Sequence, residues 1–342
     1  MKKIILLLLF VPLFSIGQNA IISDGPYVFI EKNKLIKKSI INSEVISSNL
    51  DINSYDTLYL PEKSTYNKVK KIIALSDIHG QYDLTIELLK NNKVIDKELN
   101  WNFGKGHLVI AGDIFDRGDK VSEVLWLVYK LEIQAKNDGG RVHFILGNHE
   151  FMVLQKDLRY IHEKYKVSSK LIGLEYDQLY GNKTVLGRWL RSKPSIIKIN
   201  NNVFTHGGVS EEFLINRGVD FEKINLMMRY YIDTPFEEMN SSIYNLYNGE
   251  KSLIWYRDYF KEYGEDLTDA DISKILKMLN TKHIVVGHCS YDQVVQLYNN
   301  KIFGVDSSIK NGKYGEVLLI KKRKFYRGTL KGELIEFKKK SN

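Results

Sequence analysis

The sequence contains a single cysteine, Cys289, among its 342 residues. An intramolecular disulfide is therefore excluded, and the fold must rely on its packed core for stability. Cysteine-dependent tyrosine phosphatases carry an arginine six residues after the nucleophile, and here that position is Val295. We therefore interpret Cys289 as a small buried residue rather than as a nucleophile.

Long apolar runs are also absent, apart from one near the start of the chain. Two lysines precede an apolar stretch over residues 4–14, and the small residues of Ser15-Ile16-Gly17 follow it. This order is typical of a signal peptide, so we predict that residues 1–17 are removed and that the protein is periplasmic or secreted. The stretch is shorter than the roughly 20 residues of a spanning helix, and an uncleaved anchor is the alternative. We expect no stable membrane insertion after cleavage.

Positive charge is in modest excess, with 50 Lys and Arg against 41 Asp and Glu and a formal net charge of +9. Lysine-rich clusters occur at Lys37-Lys38, at residues 321–324 and at residues 338–340. We interpret them as solvated surface, which can attract anionic substrates. The sequence carries no nucleic-acid-binding motif, so we expect no nucleic-acid partner. We also expect a monomer.

The chain is long enough for one elaborated domain with a small appendage, and it contains no internal repeat. Residues 27–31 and 35–41 have the composition of two strands, with a third expected at residues 58–60. We therefore predict an N-terminal β extension over residues 18–67. The main domain is predicted to span residues 68–342.

Five short apolar runs in the main domain each end in a polar motif. The clearest is at residues 107–118, where a run ending at Ala111 is followed by Asp113, Asp116 and Arg117. Such runs are typical of fully buried strands, and buried charges require partners or metal ions. The other four runs end in DIHG, GNHE, HGG and GH, which supply Asp77, His79, Asn148, His149, Glu150, His206 and His288. Because sites in open α/β sheets lie beyond the carboxyl ends of the strands, we expect these side chains to meet.

Helical patterns lie between the predicted strands. Apolar residues share one face over residues 82–91 and again over residues 121–136, and this alternation of strand and helix indicates an α/β fold. We also predict a helical insert at about residues 151–192 and a second helical stretch over residues 222–278. The chain is predicted to close with a β-meander, whose strands are at residues 294–298, 302–305, 316–321 and 333–337.

The motifs DIHG, GDIFDRG, GNHE, HGG and GH, in this order, resemble those of the phosphoprotein phosphatase family of calcineurin-like metallophosphoesterases. The tripeptide WYR at residues 255–257 resembles that of the bacterial branch called Shewanella-like phosphatases. The resemblance covers about residues 71–326. It implies a sandwich of two mixed β-sheets flanked by helices, which would form a metallophosphatase catalytic domain.

The resemblance also implies two metal ions. Asp77, His79 and Asp113 would hold the first, and the second would be held by Asp113, Asn148, His206 and His288. Asp77 and His79 are two residues apart, so at the end of a strand their side chains would point the same way. Asp113 can bridge both ions through its two oxygens. Carboxylate, amide and imidazole ligands without thiolate favour divalent or trivalent Mn, Fe or Zn, and we expect Mn.

The remaining site residues are expected to act on the phosphate and on protons. His149 would be the general acid, and Asp116 would orient it. Arg117 and Arg257, with Asn148, would bind phosphate oxygens. The alternatives are a salt bridge from Arg117 to Asp116 and a surface position on a helix for Arg257. We expect Glu150 to brace the loop, whereas Asp306 is expected to have a supporting or structural place.

Together these features predict a phosphomonoesterase in which metal-bound hydroxide attacks phosphorus directly, without a phosphoenzyme. The expected substrate is a phosphorylated protein, carrying phosphotyrosine and/or phosphoserine/threonine. A hydrolase of small phosphate esters, such as nucleotides or dinucleoside polyphosphates, is the first alternative, and a non-catalytic binding module is the second. An aromatic wall is predicted to favour aryl phosphates, and it would be formed by Tyr160, Tyr165, Tyr176 and Tyr180.

Overall fold

The computed structural model describes residues 21–265 and 267–338. The predicted signal peptide at residues 1–17 lies outside the described residues, as do the last two lysines of the cluster at residues 338–340. Among the described residues, no helix is both long and apolar enough to cross a membrane.

The described chain begins with a three-stranded antiparallel sheet of β1 (Asp24–Ile30), β2 (Leu35–Ile41) and β3 (Glu44–Leu50). The first two strands confirm the prediction. The third strand was predicted in the wrong place: residues 58–60 form no strand, and Leu58 and Leu60 are exposed. A two-residue turn of Asn42 and Ser43, both with positive φ, joins β2 directly to β3, so that Ile41 pairs with Glu44. The side chains of β3 are almost all exposed, so its sequence carries no apolar alternation.

A buried carboxylate fixes this small sheet to the main domain. Asp24 accepts hydrogen bonds from the hydroxyls of Tyr27, Ser122 and Ser168, and Lys164 lies 3.4 Å from it. A buried charge is stable when it is paired and hydrogen-bonded in this way. The first strand is therefore anchored through polar contacts as well as through apolar packing.

Two six-stranded mixed sheets form the centre of the molecule. The first sheet has the order β15-β14-β13-β5-β6-β7, and the second has the order β11-β12-β10-β9-β8-β4. The strands are β4 (Thr65–Tyr66), β5 (Lys71–Leu75), β6 (His107–Ala111), β7 (Arg141–Ile145), β8 (Ile196–Ile199), β9 (Asn202–Thr205), β10 (His283–Val286), β11 (Val295–Leu297), β12 (Ile302–Gly304), β13 (Val317–Lys321), β14 (Lys324–Gly328) and β15 (Leu334–Glu336).

The two sheets pack face to face around a shared apolar core. Alternate residues of β5 divide between two clusters: Ile72 and Ala74 face the second sheet, whereas Ile73 and Leu75 belong to the larger cluster. Strands that are buried on both faces have continuous apolar sequences. This explains why the strands of the main domain could be recognised from the sequence. The predicted sandwich of two mixed sheets is confirmed.

Helices cover the outer faces of the sandwich. The predicted helices are confirmed as α1 (Tyr82–Asn91) and α2 (Val121–Asn137). The other helices are α3 (Asn148–Leu154), α4 (Glu163–Ile172), α5 (Val185–Arg191), α6 (Glu211–Arg217), α7 (Phe221–Tyr230), α8 (Ser241–Asn248) and α9 (Asp269–Met278).

The predicted closing β-meander is wrong, although strands form near all four predicted positions. β12 pairs in parallel with β10 and antiparallel with β11 in the second sheet. The chain then crosses to the first sheet, where β13 pairs with β5. Apolar alternation identifies a strand but does not specify the sheet to which it belongs.

Candidate active site

The predicted site residues converge beyond the carboxyl ends of the strands, on backbone that turns sharply. Asp77, His79, Asp113 and His288 all have positive φ, between 45° and 67°. This conformation is unfavourable for residues with a side chain and persists where the surrounding structure enforces it. Asp77 and His79 follow β5 rather than lying on it, so strand alternation was the wrong reason for their proximity. Their side chains nevertheless approach, with 3.9 Å between Oδ1 of Asp77 and Nε2 of His79.

Asp113 lies at the centre of two compact groups of donor atoms. His79, Asp113 and His149 form one group, and Asp113, His206 and His288 form the other. Oδ2 of Asp113 is 3.2 Å from Nε2 of His206 and 3.7 Å from Nε2 of His79. Its Oδ1 instead accepts the backbone N–H of His149. Oδ2 is therefore the Asp113 oxygen that faces both groups of donor atoms.

Backbone carbonyls orient two of the imidazoles. Nδ1 of His79 lies 2.6 Å from the carbonyl of Phe115, and Nδ1 of His206 lies 2.7 Å from that of Ala111. Each Nδ1–H can donate to its carbonyl, which leaves Nε2 directed at Asp113 as a ligand atom. Nε2 of His206 is also 2.8 Å from Oδ1 of Asn148, which brings this amide into the second group.

Asp77 connects both groups without belonging to either. One carboxylate oxygen approaches His79, and the other accepts the backbone N–H of His288 at 2.9 Å. Burial raises the pKa of Asp77, and the neighbouring charges of Asp306 and Asp113 raise it further. Three acidic side chains are therefore held close together in the interior, where negative charge requires compensation.

The donor set fits metal cations. Burial holds the pKa values of His79 and His288 well below their usual range, so both imidazoles are neutral and can act as ligands. Burial also lowers the pKa of His206, but the Asp113 carboxylate outweighs this effect and raises it to about 10. The thiol of Cys289 is buried with a pKa raised to about 12, so it does not supply a thiolate. Imidazole, carboxylate and amide donors suit first-row divalent metals.

Glu150 supports the loop that carries Asp113. Its Oε1 accepts the N–H groups of Ile114 and Phe115, and its Oε2 accepts those of Asp113 and Gly147. The side chain is fully buried. The structure therefore confirms the predicted brace and shows that it joins two motifs, because one carboxylate ties the loop after β6 to the start of α3.

Two glycines leave space for the ligands. A Cβ at Gly147 would overlap the Asp113 carboxylate, and a Cβ at Gly112 would overlap the imidazole of His206. Gly112 also has a φ of 93°, which disfavours a side chain. The glycines beside the polar motifs therefore allow close approach of the backbone to the ligands.

His149, a member of the first donor group, also forms a buried pair with Asp116. Nδ1 of His149 lies 2.5 Å from Oδ2 of Asp116, and its Nε2 lies 3.9 Å from Asp113. Burial raises the pKa of Asp116, although its hydrogen bond to His149 opposes the shift. The carboxylate fixes the ring so that Nε2 is directed into the site.

The two arginines occupy different surroundings. Arg257 is half-buried in a turn between α8 and α9, and its Nε donates to Nε2 of His288 at 2.9 Å. The alternative of a surface arginine on a helix is therefore wrong. Arg117 is exposed, and its guanidinium lies over the ring of Tyr160, 5.7 Å from the centroid.

Only one of the four predicted wall tyrosines lies beside the site. Tyr160 is 45% exposed, and its ring centroid is 5.5 Å from that of His149. Tyr165, Tyr176 and Tyr180 are fully buried and pack against one another in the core. The prediction of a four-tyrosine wall is therefore wrong. Spacing along a helical insert did not distinguish core positions from site positions.

Asp306 lies behind the site. Its carboxylate accepts hydrogen bonds from the Ser290 hydroxyl and the Ser308 backbone, and Ser290 follows His288 by two residues. Asp306 thus supports the loop that carries His288, in agreement with the supporting place predicted for it.

Buried imidazoles and carboxylates around a shared aspartate, at the ends of two packed sheets, define a metal-dependent phosphoesterase site. Residues 70–289 match the model of the calcineurin-like phosphoesterase family, and the chain belongs to that family. It is a metal-dependent phosphatase enzyme, as the sequence motifs predicted.

Several known proteins are similar over most of the chain. The crystal structure of a cold-active protein tyrosine phosphatase from a psychrophilic Shewanella species is 40% identical, with a TM-score of 0.88, and the match covers 92% of this chain and 99% of that one. Shewanella-like protein phosphatase 1 of Plasmodium berghei is 27% identical over 89% of this chain and 81% of its own. Shewanella-like protein phosphatase 2 of Arabidopsis thaliana is 23% identical, covering 73% and 74%. The predicted family resemblance is confirmed.

Proposed function

We propose that this enzyme is a protein phosphatase that acts on phosphotyrosine and, less efficiently, on phosphoserine or phosphothreonine. The observation that carries the proposal is the pair of donor groups that share Asp113, together with the contact between His149 of the first group and Asp116. The similarity over nearly the whole chain to a protein tyrosine phosphatase supports the choice of substrate.

The residues present would hold two cations. Asp77, His79 and Asp113 would hold one, and the other would be held by Asp113, Asn148, His206 and His288. We propose manganese in both positions, because the ligands are oxygen and imidazole donors. Bound cations would neutralise phosphate charge and make a water molecule nucleophilic near neutral pH.

The arginines would bind the phosphate oxygens. Nε2 of His288 accepts one partner at a time, so Arg257 would give up its hydrogen bond if this nitrogen held a metal ion. The guanidinium of Arg257 then has donors free for phosphate. Arg117 is exposed in the loop after β6 and would supply a second guanidinium.

His149 would donate a proton to the departing oxygen. Asp116 holds Nδ1 of the ring, so Nε2 is the nitrogen that faces the reacting group. Tyr160 lies against the His149 ring and would contact the aryl group of a phosphotyrosine at this position.

A nucleotide hydrolase is the second candidate. A symmetrical bis(5'-nucleosyl)-tetraphosphatase of Buchnera aphidicola is 29% identical, but over only 42% of this chain and 46% of its own. That partial match supports shared phosphoester chemistry more than a shared substrate. A non-catalytic binding module is supported less, because the predicted ligands converge.

Turnover of matched substrates tests this proposal. The manganese-loaded enzyme would be assayed on one peptide carrying phosphotyrosine or phosphoserine and on diadenosine tetraphosphate, with Asp113→Asn as the inactive control. We expect the highest kcat/KM for the phosphotyrosine peptide. Faster hydrolysis of diadenosine tetraphosphate than of either peptide would contradict the proposal.

We also propose that the enzyme is exported and monomeric. The support is the signal-like pattern of residues 1–17. Mass spectrometry of the mature protein should show a chain starting near Gln18, and light scattering should give the mass of one chain. A cytoplasmic protein that retains Met1 would refute export.

A further inference from the structure

A broad groove lies at the end of the sandwich opposite the active site. It encloses about 1530 Å³, and its lining includes the first residues of β5, β9 and β10 together with the turn between β13 and β14. We call it the basic groove. The five residues of β5 separate it from Asp77, which corresponds to about 17 Å along an extended strand. It is therefore distinct from the phosphatase site.

Positive charge dominates the lining of the basic groove. Ten of its side chains are cationic and one, that of Glu336, is anionic. Ion pairs within the described residues involve two of the ten, Lys324 with Glu336 and Lys301 with Asp269. The cationic residues are Lys68, Lys70, Lys71, Lys282, Lys301, Lys321, Lys322, Arg323, Lys324 and Lys338. The fold thus brings the lysine-rich cluster at residues 321–324 and Lys338 of a second cluster, which were interpreted as separate solvated surface, into one concave site with five further cations.

The arrangement of these cations opposes stability. Lys71 and Lys321 lie directly opposite each other on antiparallel strands, where like charges are unfavourable. The β13–β14 turn has positive φ at both central residues, Lys322 and Arg323. Such turns favour Asn-Gly, because residues with larger side chains rarely adopt this conformation. Neutral residues would therefore fit the fold better than cations at these positions.

The shape and chemistry of the basic groove match an extended peptide. Its lining includes six asparagines, and the exposed ones, Asn67, Asn201 and Asn299, have amides that can both donate and accept hydrogen bonds. Apolar side chains, among them Ile320 and Phe325, contribute to the lining. Glu336 belongs to β15, the edge strand of its sheet, and edge strands can pair with an added strand. A concave site of this kind fits a chain better than it fits a flat membrane surface.

We propose that the basic groove binds an acidic segment of the phosphoprotein substrate, and the identity of this partner rests on the proposed function. Carboxylates of the segment would pair with the lysines and Arg323, and its backbone would hydrogen-bond to the exposed asparagines. The contact would raise the local concentration of a phosphorylated residue at the distant active site without changing the chemical step.

Direct binding tests the groove independently of catalysis. The probe is a fluorescently labelled octaglutamate peptide, and fluorescence anisotropy measures its affinity at low salt. In one variant, Lys322→Asn/Arg323→Gly, the turn receives its preferred residues and loses two charges. The control, Lys97→Gln/Lys166→Gln, removes two exposed charges that do not line the groove.

The turn variant should bind the probe about five- to tenfold more weakly than wild type, while its Tm rises or is unchanged. The control should bind like wild type, and all three proteins should hydrolyse a small aryl phosphate equally. Absence of probe binding to wild type, or equal weakening in the control, would overturn the proposal. Tighter binding of an oligonucleotide of the same charge would overturn the choice of a peptide.

A second assay connects the groove to substrate selection. A phosphotyrosine peptide would carry a flexible 15-residue Gly/Ser linker, which reaches about 20 Å on average, followed by eight glutamates or eight glutamines. Wild type should show a lower KM for the glutamate form, and the turn variant should show the same KM for both. Equal KM values in wild type would refute substrate docking. Failure to hydrolyse either peptide would refute the proposed function, whereas the anisotropy result would still decide whether the groove binds acidic peptides.

Discussion

Glu150→Gln is the sharpest test of how the fold holds its site. The carboxylate accepts four backbone N–H groups, two on each oxygen. A glutamine has one oxygen and one amide NH₂, so in either orientation two buried N–H groups face a donor. Hydrogen bonds to a charged acceptor contribute about 1.5–3 kcal/mol each, so losing two should cost about 3–6 kcal/mol of unfolding free energy. That loss is a large part of the roughly 5–15 kcal/mol by which proteins are stable.

Urea unfolding in the presence of a chelator measures this loss. Burial and the charge of Asp113 raise the pKa of Glu150 to about 7, so the measurement is made at pH 8, where the wild-type carboxylate is ionised. Glu163→Gln is the control, because that carboxylate is 79% exposed and its loss should change stability by less than about 0.5 kcal/mol. Because Glu150 also positions Asp113, we expect metal affinity to fall by about 10- to 100-fold. A change in unfolding free energy below about 1 kcal/mol, with unchanged metal affinity, would refute the reasoning.

Three further substitutions separate the roles of the side chains around the metals. His149→Gln should retain metal, as measured by mass spectrometry. It should reduce kcat on a phosphoserine peptide by about 10²–10⁴-fold but much less on nitrophenyl phosphate, because that leaving group needs no proton. Equal losses on both substrates would assign His149 to positioning. Arg257→Ala should lower kcat/KM by about 30- to 150-fold, because about 2–3 kcal/mol of charge-assisted hydrogen bonding is lost. Inhibition by inorganic phosphate should also weaken, at constant metal content. Effects within twofold would show that Arg257 does not bind phosphate. Tyr160→Ala should raise KM for a phosphotyrosine peptide several-fold more than for the phosphoserine peptide, because the aromatic contact is lost. Equal changes in the two KM values would contradict a role for Tyr160 in aryl recognition.

The buried strands of the main domain and the location of the site could be predicted because both leave local signals. A buried strand such as β5 is apolar on both faces, and the polar residue after it marks the edge where the chain leaves the core. Helix α1 was predicted with the bounds that the structure gives, since its apolar residues recur on one face.

Features set by tertiary packing could not be predicted. Tyr160 and Tyr165 belong to the same insert, yet one lies beside His149 and the other in the core, because the direction of each side chain depends on how α4 packs. β3 was missed because its exposed side chains show no apolar alternation. Its position is set instead by the two-residue turn that joins it to β2. The basic groove was not foreseen because its cations come from five separate segments that meet only in the folded chain.

Metal stoichiometry with and without the shared carboxylate tests the central claim most directly. Asp113 is shared by two donor groups, so wild type loaded with manganese and freed of excess should retain two ions per chain. Asp113→Asn removes a charge from both positions and should retain fewer than one ion, with almost no turnover of phosphotyrosine peptide or nitrophenyl phosphate. Two ions retained by Asp113→Asn, or full activity of wild type after complete removal of metal, would contradict the account.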